Sequence, residues 1–573
     1  MEKLGLSWIV GVLLIFSSCG ENEKIDAKNQ DQENAKNETT NSCLDFAITE
    51  KYLTLDPIKI TDVTSFHILS QIYEPLLRFN EKDLNLEPLL AESWSVSDDN
   101  LVYTFNLKKG VYFQENSCFK DSKGKEFNAS DVVYTFERIF SSTPGNYAYS
   151  LFRNTIKGSE KYKTSGGSIS GIRVIDEHTI SFTLVEPSSS FISLMATTCS
   201  GIVTKTAIEK NAITGTGPFT YSKKHDTELV VKLLKNQNYH MADRKGNSLP
   251  YLEAVAFNYI KDGQDELTLF KEGKLDVIVG ISPEAVKEIV EAQISDFKNN
   301  PTKYVLGRYP KILTSFIALN TAIKPFNNIK IRQAISMAIN KTKIVDHVLK
   351  GEAFGVGDHG IVPPAIKGYD FSSVIGHEYN IVKAKNLLAK AGYPNGEGFP
   401  IIKFAVGKGN TSVRVALEIQ KQLLINLNVN VEISSLTKKE IMTLSDSSQT
   451  DMLLSGWLAE FPDPVSFLSL CYGADVPQII NESAFPNESR YRNSKFDRLY
   501  QQAAITLDEK KRYELCLEAD QIIATEVPVI PLWYHENYQL IHSSIKNYKS
   551  NPMNLQYLTY VKIESLKSNK KEE

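Results

Sequence analysis

Strand patterns and helix patterns alternate along the whole chain, and this mixture constrains its fold more than any single motif. Residues 172–184 predict a β-hairpin with a polar turn, and residues 101–113 predict another around Lys-Lys-Gly. Residues 130–140 begin with Ser130, a good N-cap, and place apolar side chains on one helical face. Residues 511–534 predict a helix, a proline-bounded turn and a buried strand. This order indicates α/β lobes rather than a bundle, barrel or sandwich.

The first residues predict export and a lipid anchor. Lys3 precedes an apolar run over residues 4–16, which is too short to span a bilayer, since that takes ~20 apolar residues. Two serines then lead into Cys19, an ending that resembles the lipobox of bacterial lipoproteins, in which the cysteine thiol is diacylated. We therefore expect residues 1–18 to be a signal peptide and Cys19 to carry a lipid such as palmitate. An ordinary signal peptide with a chance cysteine stays open as the alternative.

A polar tether is expected between this anchor and the folded part. Residues 19–42 have almost no aliphatic side chains, so they cannot bury enough apolar surface to offset the entropy of ordering them. Roughly 530 residues follow. One core usually divides at ~250–300 residues, so two or three domains are expected. The 42% hydrophobic and 23% charged contents are typical of a soluble globular protein, and residues 328–349 predict a long helix within it.

Charge and motif content exclude several classes of function. The net charge is only −4 with dispersed Lys and Arg, so no nucleic-acid partner is expected. The nine histidines show no metal-ligand spacing, and no Walker loop, GxSxG, HExxH or dinucleotide motif occurs. We therefore expect no metal, no cofactor and no catalytic residues. Export allows at most two disulfides among five cysteines, with the pairing open: Cys43, Cys118, Cys199, Cys471 and Cys516.

Nine segments in a fixed order carry a family resemblance. They are Thr54–Pro57, residues 72–79, 90–113, 128–140, Thr216–Phe219, 269–278, 318–345, 379–400 and 455–468. Together they are similar to the bacterial extracytoplasmic solute-binding proteins of family 5, which include the oligopeptide- and dipeptide-binding receptors of ABC importers. The resemblance covers roughly residues 45–565.

The resemblance implies an α/β, two-lobed periplasmic-binding-protein-like fold with a hinged cleft and an extra inserted domain, three domains in all. Domain I would be discontinuous, domain II would be inserted in the same lobe, and domain III would form the other lobe. The implied ranges are 43–79, 200–313 and 525–567 for domain I, 80–199 for domain II, and 314–524 for domain III.

The function implied is that of a monomeric, membrane-anchored receptor on the extracytoplasmic side, which captures peptides for an ABC permease. Three alternatives stay open. The same fold could bind another solute, such as a nickel chelate, haem, an oligosaccharide or a murein peptide. A lipid-anchored extracytoplasmic hydrolase would need a nucleophile–base pair or a metal cluster. A structural or sensory lipoprotein would have kept the fold without a permease.

The ligand-binding residues are also expected from the resemblance. In the peptide-binding members, a Trp followed three residues later by an Asp lies on the cleft wall, and that carboxylate pairs with the peptide α-ammonium. Here Gly456 and Trp457 match, and the acid is Glu460, one methylene longer. The backbone of Thr61 and Val63 is expected beside the peptide main chain, and Tyr149 on the second lobe. No partner for a ligand carboxylate can be singled out.

Overall fold

A computed structural model of the chain describes residues 42–261, 263–281 and 303–564. The predicted signal peptide, Cys19 and nearly all of the predicted tether lie outside the described residues. No helix within the described ranges is long and apolar enough to cross a membrane.

The strands form one large sheet and three smaller ones. Their bounds are β1 Cys43–Ile48, β2 Leu77–Phe79, β3 Leu86–Pro88, β4 Ala91–Val96, β5 Val102–Leu107, β6 Ile172–Asp176, β7 Thr179–Thr183, β8 Phe219–Thr220, β9 Val230–Lys235, β10 Ala254–Tyr259, β11 Val277–Val279, β12 Tyr304–Leu319, β13 Gly355–Val356, β14 Ile402–Gly407, β15 Val431–Leu436, β16 Met452–Leu458, β17 Val529–His542, β18 Ile545–Lys546 and β19 Lys562–Ile563.

The helices lie between these strands. Their bounds are α1 Val63–Ile72, α2 Ala129–Ile139, α3 Ala148–Phe152, α4 Ser159–Ser165, α5 Phe191–Leu194, α6 Lys205–Glu209, α7 Gly263–Lys271, α8 Ile329–Ala338, α9 Lys341–Lys343, α10 Ile381–Lys390, α11 Asn410–Leu427, α12 Lys438–Asp446, α13 Pro464–Leu468, α14 Ser494–Ile505 and α15 Glu509–Glu526. In the described ranges a π-turn covers Ile344–Val348, and 3₁₀ turns occur at Pro57–Lys59, Lys120–Ser122, Thr198–Ser200, Lys223–His225, Phe371–Ser373, Pro394–Gly396, Ser469–Cys471 and Gly473–Asp475.

Two long neighbouring strands, β12 and β17, lie in the middle of the large sheet. β12 and β17 pair antiparallel, from Tyr304 opposite His542 to Ala318 opposite Val529. At one end β17 also pairs with β11, which leads on to β1, β10, β9 and β8. At the other end β12 also pairs with β16, which leads on to β14 and β15. The two ends of the sheet are therefore joined by continuous backbone. The predicted boundary between domains I and III falls inside β12, and the domain ranges stay a prediction.

The α/β class is confirmed by the way strands and helices combine. β14 and β15 run parallel and are connected through α11, as a βαβ unit requires. A separate antiparallel sheet in the order β4-β5-β7-β6 contains the predicted hairpin at residues 172–184, which is confirmed. The hairpin predicted for residues 101–113 is wrong. After β5 the chain turns at Gly110 (φ +68°), and Phe113 donates its N–H to the carbonyl of Lys125 instead.

Asparagines set two helix boundaries that the hydrophobic pattern misplaced. α2 is capped by Asn128, not Ser130, because Asn128 and Asp131 form a reciprocal capping box. The helix predicted for residues 328–349 is interrupted after α8, and Asn340 caps the next turn with its side chain. Such side chains compete with the helical backbone for hydrogen bonds, so an apolar period continues across a break. The five cysteines within the described part are all free thiols.

Candidate functional site

A cavity of about 870 Å³ lies between two sets of segments. One wall comes from residues 60–79 and from stretches within 147–199. The other comes from α12, β16 with the residues that follow it, and residues 485–488. Residues 311–315 of β12, residues 500–505 of α14 and residues 553–559 also contribute to the lining. Its volume lies in the ~300–1,000 Å³ range of small-ligand pockets.

The two walls touch around this cavity. Arg153 forms an ion pair with Asp475, and Ser189 donates its N–H to the carbonyl of Ala504 at 2.8 Å. The ring of Tyr147 packs on that of Phe485, with centroids 5.9 Å apart. Because these contacts link one wall directly to the other, the cleft between the walls is closed in this structure.

Glu460 follows the end of β16 and lines the cavity. Its carboxylate accepts a 2.8 Å hydrogen bond from Ser466 Oγ, which in turn accepts one from Trp457 Nε1 at 3.2 Å. Burial raises the pKa of Glu460 to about 7, against the opposing effect of the Ser466 bond. Within the described ranges no lysine, arginine or histidine forms an ion pair with it. The site therefore holds a partly buried carboxyl group that has no cationic partner among the described residues.

Gly456, Trp457, Thr61 and Val63 also line the cavity, so the structure brings five of the six predicted residues together. A Cβ built on Gly456 would meet nothing closer than 3.6 Å, so the protein itself does not require glycine there. Val63 is the first residue of α1, so the predicted extended stretch ends at Thr61 and its neighbour. The Thr61 carbonyl accepts a hydrogen bond from Lys438 of α12.

Tyr149 is the predicted residue that the structure places elsewhere. Its hydroxyl donates to Glu160 at 2.8 Å, and Lys163 lies over its ring, 3.2 Å from the centroid. Tyr147, the other tyrosine of that segment, lines the cavity. Because residues 148–152 form a short helix, side chains two positions apart point in different directions. The sequence could not decide between the two tyrosines.

Lys311, on β12, is a cavity residue that the sequence did not single out. Burial lowers its pKa to about 8, and no hydrogen bond or ion pair holds its ammonium group within the described part of the chain. His535 lies nearby with its Nε2 2.7 Å from Ser315 Oγ, and burial and then Lys311 lower its pKa to about 3. His535 is therefore neutral, and Lys311 is the cation of this region. The sequence gives no signal for it, because β12 also contains Arg308, Thr314 and Ser315.

Glu488 is a second cavity residue without a sequence signal. Its carboxyl is hydrogen-bonded to Ser455 of β16, and burial raises its pKa to about 7. Across the described residues, no group of three or more His, Cys, Asp or Glu side chains could hold a metal ion. Besides Glu460, Glu488 and Lys311, the charged residues of the cavity lining are Asp62, Glu186 and Lys438, together with the ion-paired Glu74, Arg78, Arg153 and Asp475.

Comparison with known proteins places this architecture. The sequence model for the bacterial extracellular solute-binding proteins, family 5 Middle, matches residues 85–477. The di/tripeptide-binding protein 1 of Pseudomonas aeruginosa (strain UCBPP-PA14) is 28% identical over 516 residues, covering 87% of this chain and 90% of that protein. The heme-binding protein A of Haemophilus influenzae is 26% identical over 560 residues, covering 95% and 96%.

A solved structure agrees with these matches. The periplasmic binding protein DppA from Helicobacter pylori, associated with an ABC transporter and in complex with the peptide STSA, superposes with a TM-score of 0.78. It is 28% identical, and the match covers 91% of this chain and 98% of that one. The two-lobed α/β fold expected from the sequence is confirmed.

Proposed function

This chain belongs to family 5 of the bacterial extracellular solute-binding proteins, and we propose that it captures short peptides in its cavity for an ABC importer. The family and the relatives matched are solute-binding proteins, so this one is a binding protein and not an enzyme. The observation that carries the peptide proposal is Glu460, a partly buried carboxyl group on the cavity wall without a cationic partner among the described residues. A peptide α-ammonium supplies that partner. The peptide-binding relatives support the same reading.

The two ends of the peptide have candidate partners of opposite charge. Glu460 accepts a hydrogen bond from the α-ammonium, as the family resemblance implies, while Trp457 offers an apolar face to the first side chains. Lys311 takes the ligand carboxylate. Ala459 donates its N–H to the carbonyl of Ile312 at 3.0 Å, so the backbone next to Glu460 is joined to the backbone next to Lys311.

The finer assignments rest on the sequence. Cys19 lies outside the described residues, and its lipid anchor is proposed from the lipobox-like ending. An anchored, monomeric receptor on the extracytoplasmic side would stay near its permease, because tethering raises its effective concentration there. The roles of Thr61, Val63 and Gly456 beside the peptide main chain are proposed on the same footing.

Haem is the second candidate ligand, since the haem-binding relative covers 95% of this chain. The experiment that separates the candidates is native mass spectrometry of the purified protein, followed by identification of what leaves the cavity. Peptides of mixed sequence support the proposal. A single porphyrin with a visible absorption band would show that haem, and not a peptide, is the ligand. A protein that binds neither peptides nor haem after incubation with both would overturn both candidates.

A further inference from the structure

Glu488 faces the cavity from a different direction than Glu460. It lies in the segment that follows Phe485, and its carboxyl is hydrogen-bonded to the side chain of Ser455 in β16. Glu460 follows the end of the same strand. Neither carboxyl is among the charges that shift the pKa of the other, so the two groups do not lie side by side. One ammonium group cannot serve both.

The charges around Glu488 do not neutralise it. Lys438 acts on it favourably and Asp446 unfavourably, so their effects oppose each other. Lys438 donates to the Thr61 carbonyl and forms no ion pair with Glu488. Within the described ranges, no other cation lies close enough to pair with this carboxyl. A ligand that fills the cavity therefore meets a second uncompensated negative group.

The walls beside Glu488 are apolar and aromatic. The ring of Phe485 lies 5.9 Å from that of Trp457 and 5.9 Å from that of Tyr147, measured between centroids. Tyr147 also contacts Met442, its hydroxyl 3.6 Å from the sulfur. All four side chains line the cavity. Apolar and aromatic side chains that share a cavity with a carboxylate match a ligand side chain with a hydrocarbon stem and a cationic head, and aromatic faces attract such heads.

We propose that Glu488 selects peptides that carry a lysine or arginine side chain near their amino terminus. The inference rests on the proposed function, with the α-ammonium at Glu460 and the basic side chain running along Phe485 to Glu488. An extended peptide advances at most about 3.6 Å per residue, so the basic residue lies within the first few positions.

The test is calorimetric titration of the full-length purified protein at pH 7.5 with two series of tripeptides. In one series lysine occupies position 1, 2 or 3 of an alanine tripeptide, and in the other norleucine replaces that lysine. Norleucine keeps the hydrocarbon stem and lacks the ammonium group. We expect the lysine peptide to bind at least tenfold more tightly than its norleucine partner at one position or more.

Variants then assign this preference to one carboxylate. In Glu488→Gln the lysine preference should fall below threefold, while the norleucine peptides keep their affinity within twofold, which also reports that the variant folds. Glu482→Gln removes an exposed carboxylate from the same segment and should keep the full preference.

Each result decides the matter. A lysine preference that survives in Glu488→Gln, or equal binding of both series by the unmodified protein, overturns the inference and leaves the proposed function standing. If no peptide of either series binds, the proposed function falls and this inference falls with it. The comparison of lysine with norleucine in the unmodified protein stands even if Glu488→Gln does not fold.

Discussion

Replacing Glu460 with glutamine should separate the recognition of a charged amino terminus from every other contact of the peptide. Glutamine keeps the size of the side chain and can still accept the hydrogen bond from Ser466. Removing one partner of a buried, hydrogen-bonded charge pair costs about 2–5 kcal/mol. Peptides with a free amino group should therefore bind at least ~30-fold more weakly to the variant. N-acetylated peptides have no ammonium group, so their affinity should change less than threefold.

The pH dependence of binding gives the same prediction a second signature. The pKa of Glu460 is about 7 in the empty cavity, so only about 1% of the group is ionised at pH 5. The affinity for free-amine peptides should fall ~100-fold between pH 8 and pH 5, because the carboxyl must lose its proton to bind an ammonium. Above about pH 8 the peptide amine loses its own proton, and affinity falls again. In Glu460→Gln this fall in affinity toward low pH, the acid limb of the profile, should disappear.

The stability of the ligand-free protein should fall over part of the pH range in which peptide affinity rises. The folded-state pKa of Glu460 is raised from 4.5 to about 7, so the folded protein holds a proton that the unfolded chain has released. The free energy of unfolding therefore falls as pH rises from about 4.5 to 7, by up to about 3 kcal/mol. Glu460→Gln removes this penalty and should raise the thermal midpoint of the ligand-free protein at pH 8.

Calorimetry with trialanine and N-acetyl-trialanine from pH 5 to 9 measures the binding effects, and scanning fluorimetry measures the midpoint. Glu432→Gln is the control, since it removes an exposed carboxylate of β15 from the same lobe. Equal losses for the free and acetylated peptides would refute the role of Glu460. So would an unchanged acid limb in the glutamine variant.

Three further predictions follow from the same geometry. Lys311→Met should lower the affinity for peptides with a free carboxylate at least tenfold, while the affinity for the same peptides as C-terminal amides should change less than twofold. Lys403→Met, which removes an exposed lysine, is the control in the same titrations. Gly456→Ala should leave the unfolding midpoint unchanged or raised, since nothing lies within 3.6 Å of the new methyl, while peptide affinity falls because the methyl enters the cavity. Alkylation of the unfolded, unreduced protein followed by mass spectrometry should modify all five cysteines after Cys19; fewer adducts than after reduction would reveal a disulfide.

The class of fold could be predicted from the sequence because the hydrophobic period of most segments is local information. The hairpin at residues 172–184 shows this, since both strands and their turn are adjacent. The hairpin at residues 101–113 failed because Phe113 pairs with Lys125, a partner that its own period does not reveal. Asn128 and Asn340 moved helix boundaries through side-chain caps, which a pattern of apolar residues does not register.

The binding residues also differ in whether the local sequence reveals them. Gly456, Trp457 and Glu460 are close in sequence, so a single motif places them together on one wall. Lys311 and Glu488 enter the cavity from segments more than 150 residues apart in sequence. Only the pairing of β12 with β16, and the packing of residues 485–488 on β16, bring them to it. Their chemistry depends on burial, which the sequence does not specify for a single charged residue.

The partly buried charges also link ligand binding to the stability of the protein. The pKa values of Glu460 and Glu488 are both about 7, so at pH 8 both carboxyls are mostly ionised without a cationic partner among the described residues. Each charge costs the ligand-free protein up to about 3 kcal/mol relative to a carboxyl with the ordinary pKa of 4.5. A peptide that brings one ammonium group to each carboxylate removes this cost. The same two groups that choose the ligand thus also favour the loaded receptor over the empty one.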